Sequence, residues 1–391
     1  MKQKKLNIDK KEKKKILILP RWYPNRLDIQ LGIFIQRQLV LMQEFYNFYV
    51  VYVQADKDMT TKFEHIQKNE NGFPEHIIYY KSASGPLKKI TNFIRYRKAQ
   101  KIGLQKMSEK FDGVHVHVPY RSAQPALKLL KIEGTPFAIT EHWSGHLNGL
   151  YQTKNIIDKW LYKKILKKAK VISTVSEKLQ SAFKKNTGFT SVVIPNYIEQ
   201  IQPKDASKHS DHIKILSIGD IHDETKNFSG LLNAFKQALT ERDNLQLTII
   251  GGGSDSDKIH NYAKQLSIPE SDLIFTGRLD HEEVLKRIND CDFYVCNSNF
   301  ETFGMTVAEA LYAGKPVIST RCGGPEEFVN DKNGIMIDPS ANADMLVQAI
   351  LRMANNYQNY NSQELIGPIE LRYGKEAVQN AWLAFYDKLL S

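Results

Sequence analysis

The chain has 391 residues and a formal net charge of +11. This length suits about two to four domains. A content of 42% hydrophobic and 25% charged residues is typical of globular proteins and excludes a mainly disordered chain. The charge is divided unequally, because residues 1–200 carry a net charge of +20 and residues 201–391 a net charge of −9. We therefore expect the two halves to meet different partners.

The N-terminal end is a basic tail, residues 1–14, which we expect to be disordered and solvated. The alternative is contact of its lysines with anionic lipid, which contributes about 1 kcal/mol per lysine near a surface. The apolar run 16–19 ends at Pro20 and is too short for a signal peptide or a membrane span. The three cysteines form no C-x-x-C pair, which indicates a reducing compartment and no structural zinc site. We expect a cytoplasmic protein that binds the inner face of the membrane peripherally, if it binds membrane at all.

Short apolar runs alternate with helix-period segments along the whole chain. In the first half we predict a helix at 31–46 and strands at 15–20, 48–54, 114–118, 136–140, 171–176 and 191–196. A polar segment at 197–212 is the expected linker. Beyond it we predict strands at 213–219, 245–253, 273–277, 292–298 and 316–320, and helices at 228–239, 281–290, 304–313 and 374–390. Such alternation predicts parallel sheets joined by crossover helices.

The chain order therefore predicts an α/β fold with two doubly wound domains, 15–196 and 213–372, followed by a helix at 373–391. Ligands of open parallel sheets bind at the carboxyl ends of the strands. For two such sheets facing each other we expect the site in the cleft between them.

The most informative stretch is 297–320, NSNFETFGMTVAEALYAGKPVIST. Phe303 and Gly304 open a helix, and the N–H groups and positive dipole end of a helix N-terminus favour phosphate or another oxygen with negative charge. Gly304 lets a ligand approach the backbone closely. Glu301 precedes the helix and Glu309 lies within it, so we expect both to border one elongated ligand. Either glutamate alone could instead be a helix-start residue or a surface ion-pair partner.

In this stretch the chain resembles the retaining glycosyltransferase family four, which has the GT-B fold. The resemblance rests on the E-x7-E pattern of Glu301 and Glu309 and covers residues 15–390. Other motifs that follow the family's order are 22-WYP-24, 32-GIF-34, 114-VHVHVPY-120, 140-TEH-142, 174-TVS-176, 194-IPN-196, 313-AGKPVI-318 and 323-GGPE-326. The resemblance implies two Rossmann-like domains facing across a cleft, the first for the acceptor and the second for a nucleotide sugar. It also implies a C-terminal helix that returns to the first domain.

The resemblance assigns roles around the helix start. Glu301 would hold the hydroxyls of the donor sugar, and Glu309 would hold the ribose. The backbone N–H groups of Phe303, Gly304 and Met305 would face the sugar and the diphosphate.

Other roles follow from the resemblance as well. Lys226 would contact the diphosphate, His142 would lie at the catalytic centre and Gly32 would let the first loop approach the donor. His117 would contact the acceptor. Each has a structural alternative: a surface lysine, a structural histidine, a helix-start glycine or a core histidine. The chain departs from the family at Asp220, where many members carry an arginine, and we expect its carboxylate to point away or to be offset.

The activity that the resemblance implies is transfer of a hexose-type sugar, with retention, from a UDP- or GDP-sugar to a glycan or lipid-linked glycan in surface polysaccharide synthesis. No cofactor and no metal is expected, since the helix dipole and a lysine supply positive charge. Two alternatives stay open. One is a degenerate, non-catalytic paralogue that binds glycan or acts as a scaffold, and the other is a GT-B nucleotide-sugar epimerase.

Two basic segments, 81–110 and 159–170, interleave lysines and arginines with apolar residues and predict amphipathic helices. They could be solvated outer faces. The sharper hypothesis is that they dock on an anionic membrane and bring the acceptor site to a lipid-linked glycan. No motif supports nucleic acid as a partner.

Overall fold

The structure is a computed structural model that describes residues 12–201, 211–339 and 343–391. The chain divides into two compact units. The first comprises Met1–Glu141, Asn155–Ser173 and Trp382–Ser391, and the second comprises His142–Lys154 and Thr174–Ala381. Most of the predicted tail and linker lies outside the described residues, and the domain boundaries expected from the sequence stay a prediction.

The first sheet has eight strands in the order β3-β4-β2-β1-β5-β6-β7-β8. Their bounds are β1 (Lys15–Pro20), β2 (Asn47–Asp56), β3 (Phe63–Lys68), β4 (Glu75–Lys81), β5 (Gly113–His117), β6 (Phe137–Glu141), β7 (Val171–Thr174) and β8 (Val192–Val193). Strands β4, β2, β1, β5 and β6 pair in parallel, whereas the edge strand β3 is antiparallel to β4. The chain therefore winds outward from β1 in both directions.

The second sheet has six strands in the order β11-β10-β9-β12-β13-β14, and every pairing in it is parallel. Their bounds are β9 (Ile213–Ile218), β10 (Leu245–Ile250), β11 (Leu273–Gly277), β12 (Phe293–Cys296), β13 (Val317–Thr320) and β14 (Gly334–Ile337). Counted from β9, this is the 3-2-1-4-5-6 order of a dinucleotide-binding fold.

The helices lie between the strands. Their bounds are α1 (Ile33–Met42), α2 (Lys88–Gln105), α3 (Pro119–Ser122), α4 (Gln124–Glu133), α5 (Leu150–Thr153), α6 (Ile156–Leu166), α7 (Glu177–Thr187), α8 (Asp223–Lys226), α9 (Phe228–Glu241), α10 (Ser256–Gln265), α11 (His281–Asp290), α12 (Met305–Tyr312), α13 (Ala343–Asn356), α14 (Ser362–Tyr373) and α15 (Lys375–Leu390). Three short 3₁₀ turns lie at Ser144–His146, Gly324–Glu327 and Tyr357–Asn359.

The second sheet is buried on both faces because successive side chains of a strand point to opposite sides. In β12, Phe293 and Val295 belong to one apolar cluster, together with residues of α9 and α13. Tyr294 and Cys296 belong to the other cluster, with residues of α12 and α14. Two helical layers therefore enclose this sheet and hold its strand ends in place.

The prediction of two doubly wound α/β sheets is confirmed, but three strands escaped the sequence analysis. Edge strand β3 is polar and half exposed, so it has no apolar run to indicate it. Its partner β4 is buried except at its last residue and precedes the basic segment that drew the helix prediction. Strand β14 offers only three apolar residues, 335–337, after a glycine.

A buried polar chain crosses the first unit. His115 in β5 bonds through Nδ1 with the hydroxyl of Tyr386 at 2.9 Å and through Nε2 with that of Thr140 at 2.7 Å. Thr140 in turn bonds with the hydroxyl of Ser173 at 2.7 Å. These hydrogen bonds connect the last turns of α15 with strands β5, β6 and β7. They satisfy polar groups that would otherwise be buried without partners.

We expect Tyr386→Phe to lower the free energy of unfolding by on the order of 1–3 kcal/mol, because it removes a buried hydrogen bond. Tyr373→Phe is the matched control. Tyr373 is equally buried, but its hydroxyl has no hydrogen-bond partner among the described residues. Its removal should be neutral or stabilising. Urea unfolding measures both variants, and equal losses would contradict the role given to Tyr386.

Candidate active site

The candidate site lies in the second unit, where the strand order changes direction. Strands β9 and β12 are neighbours, with Ile215 beside Phe293 and Leu216 beside Tyr294. Their crossover helices lie on opposite faces, so the carboxyl ends of these two strands open a crevice in such sheets. The loop after β9 carries Lys226, and the loop after β12 carries Glu301.

The structure brings three polar side chains of these loops together. The Lys226 ammonium donates to Glu301 Oε1 at 2.5 Å, and the Ser298 hydroxyl donates to the same oxygen at 2.9 Å. The side chains of Lys226 and Glu301 are 21% and 15% exposed, so the pair is largely buried but reaches the surface. An ammonium at this place can hold an anion, and a carboxylate can hold hydroxyl groups.

The ion pair keeps Lys226 charged. Burial alone would lower the pKa of Lys226, but the negative charge of Glu301 outweighs it and raises the pKa above that of an ordinary lysine. Lys226 therefore stays an ammonium throughout the physiological pH range. A positive charge is held at the edge of the sheet whether or not an anion is bound.

Two asparagines after β12 join its loop to the loop after β9. The backbone N–H of Asn299 donates to the Thr225 carbonyl at 2.8 Å, and the Asn299 side chain donates to the Glu224 carbonyl at 2.9 Å. The Asn297 side chain donates to the Asn227 carbonyl at 3.0 Å. Sequence analysis assigned these asparagines no role. The local sequence gives no signal for these bonds, because the carbonyl groups that accept them lie 70 and 75 positions away in the chain.

Glu301 is also held through its backbone. Its N–H donates to the Cys322 carbonyl at 2.8 Å, and its own carbonyl accepts from the N–H of Gly324 at 2.9 Å. Gly323 lies between these bonds with a φ of 130°, and a Cβ there would lie 2.2 Å from the Glu301 carbonyl oxygen. The glycines of the 323-GGPE-326 motif thus allow the close backbone contacts that hold Glu301 in place.

Helix α12 begins beside this pair. Gly304 is its N-cap residue in the left-handed conformation, with a φ of 86°. The first N–H groups of a helix have no intrahelical acceptor, so the start at Met305 offers donors and the positive dipole end. The Phe303 side chain is buried against Phe328 and Tyr373, with ring centroids 5.9 Å and 5.2 Å away. Only its backbone is therefore suited to contact a ligand.

Glu309, the second glutamate of the pattern, lies in the second turn of α12 and is buried. It is four residues beyond Met305, which corresponds to about 6 Å along a helix axis. Glu301 and Glu309 are thus separated along the direction of α12, and their joint contact with one ligand stays a prediction.

Asp220, the departure from the family pattern, forms an ion pair with Arg278. Their Oδ1 and Nη2 atoms are 2.7 Å apart, at the ends of β9 and β11. The arginine offsets the carboxylate, as expected. Asp220 therefore does not leave an unbalanced negative charge beside the Lys226–Glu301 pair.

The remaining candidate residues lie elsewhere in the fold. His142 directly follows β6, is buried and groups with the second unit. His117 ends β5 in the first unit, fully buried, with its ring 4.1 Å from that of His115. Gly32 caps α1 in the first unit with a φ of 67°, and a Cβ there would lie 2.5 Å from the Trp22 carbonyl oxygen. The close approach of this loop to itself is thus a sufficient structural reason for Gly32.

Two buried cysteines lie beneath the pair. Cys296 Sγ is 3.5 Å from the Ser298 hydroxyl. A hydrogen bond between Cys296 and Cys322 lowers the pKa of the first thiol and raises that of the second. Among the described residues no group of three or more His, Cys, Asp or Glu side chains is placed to hold a metal ion.

Comparison with known families identifies the class. The chain matches the family model "Glycosyltransferase Family 4" over residues 48–200 and the family model "Glycosyl transferases group 1" over residues 199–366. The chain belongs to the group 1 glycosyltransferases, and the resemblance found in the sequence is confirmed.

Relatives and solved structures agree with this class. An uncharacterized glycosyltransferase of Methanocaldococcus jannaschii is 27% identical over 272 residues, which are 69% of this chain and 73% of that protein. Other curated relatives align over less than two thirds of their own length.

Two solved structures share the fold. Sucrose-phosphate synthase from Thermosynechococcus elongatus has a TM-score of 0.75 at 17% identity, and the match covers 96% of this chain and 99% of that one. Anabaena HepE in complex with UDP and glucose has a TM-score of 0.74 at 14% identity, with 96% and 99% covered. The predicted GT-B fold is confirmed.

We expect Gly323→Ala to lower the free energy of unfolding by about 2–4 kcal/mol, the sum of left-handed backbone strain and the clash with Glu301. Gly134→Ala is the matched control, since Gly134 also has a positive φ but open space at its Cβ position. That variant should cost only about 1–2 kcal/mol. Thermal unfolding compares the two, and equal costs would contradict the tight contact at Glu301.

Proposed function

We propose that the protein transfers a hexose-type sugar, with retention of configuration, from a UDP- or GDP-sugar to a hydroxyl of a glycan or lipid-linked glycan. The observation that carries the proposal is the Lys226–Glu301 ion pair at the switch point of the second sheet, beside the start of α12. Residues 213–372 would bind the donor, and residues 15–196 would bind the acceptor.

Each group of the pair has a task in this proposal. Lys226 offsets the charge that develops on the leaving nucleoside diphosphate, which is the largest electrostatic demand of the reaction. Glu301 accepts hydrogen bonds from the donor sugar's hydroxyls, and Glu309 accepts them from the ribose. The N–H groups at Phe303, Gly304 and Met305 face the diphosphate, where the dipole of α12 adds to the field of Lys226.

The reaction we propose is a front-face displacement within a short-lived ion pair. The leaving phosphate oxygen takes the proton of the acceptor hydroxyl, and the bond from that hydroxyl oxygen to the sugar forms on the face that the phosphate leaves. His142 would bind a sugar hydroxyl and orient it. Gly32 would let the first loop approach the donor, and His117 would contact the acceptor. The surface polysaccharide pathway is the proposed setting.

Two observations support a nucleotide-sugar donor. The HepE complexes contain UDP with glucose and UDP-glucose, and they have the same fold at 14–15% identity. The ion pair of Asp220 with Arg278 supports the proposal over a degenerate site, because it offsets the carboxylate that stands where many family members carry an arginine. The scaffold alternative predicts no nucleotide binding, and the epimerase alternative predicts an altered nucleotide sugar without any acceptor.

We expect Glu301→Gln to separate nucleotide binding from transfer. UDP or GDP should bind about tenfold more tightly, because one negative charge near the diphosphate is lost and Lys226 is released. Transfer should fall by on the order of 10²–10³, since the sugar loses its carboxylate contact. Calorimetric titration and a product assay measure the two effects.

The companion variant is Lys226→Met, which should weaken nucleotide binding and transfer together. Lys286→Met on the exposed face of α11 is the control and should change neither. A panel of UDP- and GDP-sugars with the unaltered chain identifies the donor. Near-normal turnover in Glu301→Gln or Lys226→Met would refute these roles.

We further propose that the protein docks peripherally on the inner, anionic face of the membrane. Of the sixteen exposed large hydrophobic side chains in the described part of the chain, eight lie within 87–94 and 156–161, around the first turns of α2 and α6. The inner face of α2 is formed instead by Tyr96, Ala99, Gln100 and Gly103. None of the described helices has the length and apolar character that a membrane crossing requires.

We expect binding to vesicles that contain phosphatidylglycerol to fall at least tenfold between about 0.05 and 0.5 M salt. The reason is that salt screens the attraction between the lysines and the anionic lipids. Lys163→Gln/Lys164→Gln on α6 should weaken it, and Lys264→Gln/Lys286→Gln should not. Sedimentation with the vesicles measures the bound fraction. Equal binding to pure phosphatidylcholine vesicles would rule the proposal out.

A further inference from the structure

A groove of about 480 Å³ lies in the first unit between α2, α4 and α6. This volume is within the range of small-molecule sites, about 300–1,000 Å³. Its lining residues include Ile90 and Phe93 of α2, Leu127 of α4, and Leu161 and Ile165 of α6. No nucleotide or sugar role is assigned to any of them.

The apolar lining of the groove combines buried and exposed side chains. Ile165 is buried, whereas Ile90, Phe93 and Leu161 are exposed to solvent. Contiguous exposed apolar side chains on a protein surface mark interaction sites or ligand-binding grooves. These five side chains present only apolar atoms and suit a hydrocarbon chain, while Tyr120, Gln124 and Tyr162 complete the uncharged lining.

The charged groups of the groove are mostly basic. Lys89, Arg121, Lys164 and Lys168 line it, against a single acidic residue, Asp158. The carboxylate of Asp158 accepts from the Asn155 amide at 3.0 Å and from the Tyr120 hydroxyl. Asp158 is therefore partly engaged within the protein, and four cations against one carboxylate leave the groove with a net positive charge.

We propose that this groove binds one hydrocarbon chain of a phosphate-bearing lipid and that the lysines and Arg121 hold the phosphate. The apolar side chains would contact the hydrocarbon chain of the lipid, and the basic residues would bind its anionic headgroup. This site differs from general membrane docking, because it takes a single lipid molecule out of its surroundings. That the lipid carries the acceptor glycan rests on the proposed function.

The test uses the full chain and three soluble probes below their micelle concentration. Dodecyl phosphate has both the hydrocarbon chain and the negative charge. Dodecyl maltoside has the hydrocarbon chain without the charge, and inorganic phosphate has the charge without the hydrocarbon chain. In calorimetric titrations we expect saturable binding of one dodecyl phosphate per protein. Dodecyl maltoside should bind at least tenfold more weakly, and inorganic phosphate should show no saturation.

Two variants locate the site. Leu127→Trp fills the groove and should abolish saturable binding of dodecyl phosphate. The control Ile132→Trp places the same side chain on an exposed position of α4 outside the groove and should leave binding unchanged. Lys89→Gln/Lys168→Gln should weaken binding of dodecyl phosphate at least tenfold without affecting dodecyl maltoside. Circular dichroism of each variant verifies that it folds.

The proposal is overturned by equal binding of dodecyl phosphate and dodecyl maltoside, by saturable binding of inorganic phosphate, or by unchanged binding in a folded Leu127→Trp. UDP and GDP titrated into the same sample keep the two proposals apart. Binding of dodecyl phosphate without binding of UDP or GDP would refute the proposed function but support the lipid-binding groove. Binding of UDP or GDP without binding of dodecyl phosphate would support the proposed function and refute the lipid-binding groove.

Discussion

The site of the second unit depends on the ion pair between Lys226 and Glu301. It joins the loop after β9 to the loop after β12, two neighbouring parallel strands. The asparagines flanking Ser298 provide further bonds between the same loops. Gly323 allows the backbone of Glu301 to be held from the other side. A buried pair of opposite charges is tolerated because each charge has its partner at hydrogen-bond distance.

The distribution of charge in the chain agrees with this local design. Residues 201–391 carry a net charge of −9, so their overall field does not attract a nucleotide. The positive field that the proposed diphosphate would need is instead local, at Lys226 and the start of α12. The basic first half has its apolar and cationic groups together around α2 and α6. The net charge of the whole chain is thus the sum of two halves of opposite sign.

Much of the fold could be predicted from the sequence, because the buried strands are short apolar runs and glycine or proline residues mark the ends of the helices. Glu301, Glu309 and Gly304 could be chosen as candidate site residues because they lie within one stretch of 24 residues at recognisable spacing. The face of a basic helix was harder to predict. In α2 the side chains that pack inward are Tyr96, Ala99, Gln100 and Gly103, and the obvious apolar residues Ile90 and Ile94 are exposed. Periodicity indicates an amphipathic helix but does not show which stripe the rest of the unit will cover.

The sequence by itself determined the α/β class, the existence of two sheets and the local motif at the start of α12, because these follow from hydrophobic period, turn residues and chain order. Only the tertiary structure decided which distant residues meet. Lys226 and Glu301 are 75 positions apart, as are Asn299 and Glu224. His115 and Tyr386 are 271 positions apart. Such contacts depend on strand order and on which helices lie on which face of a sheet, and packing of the whole unit sets both.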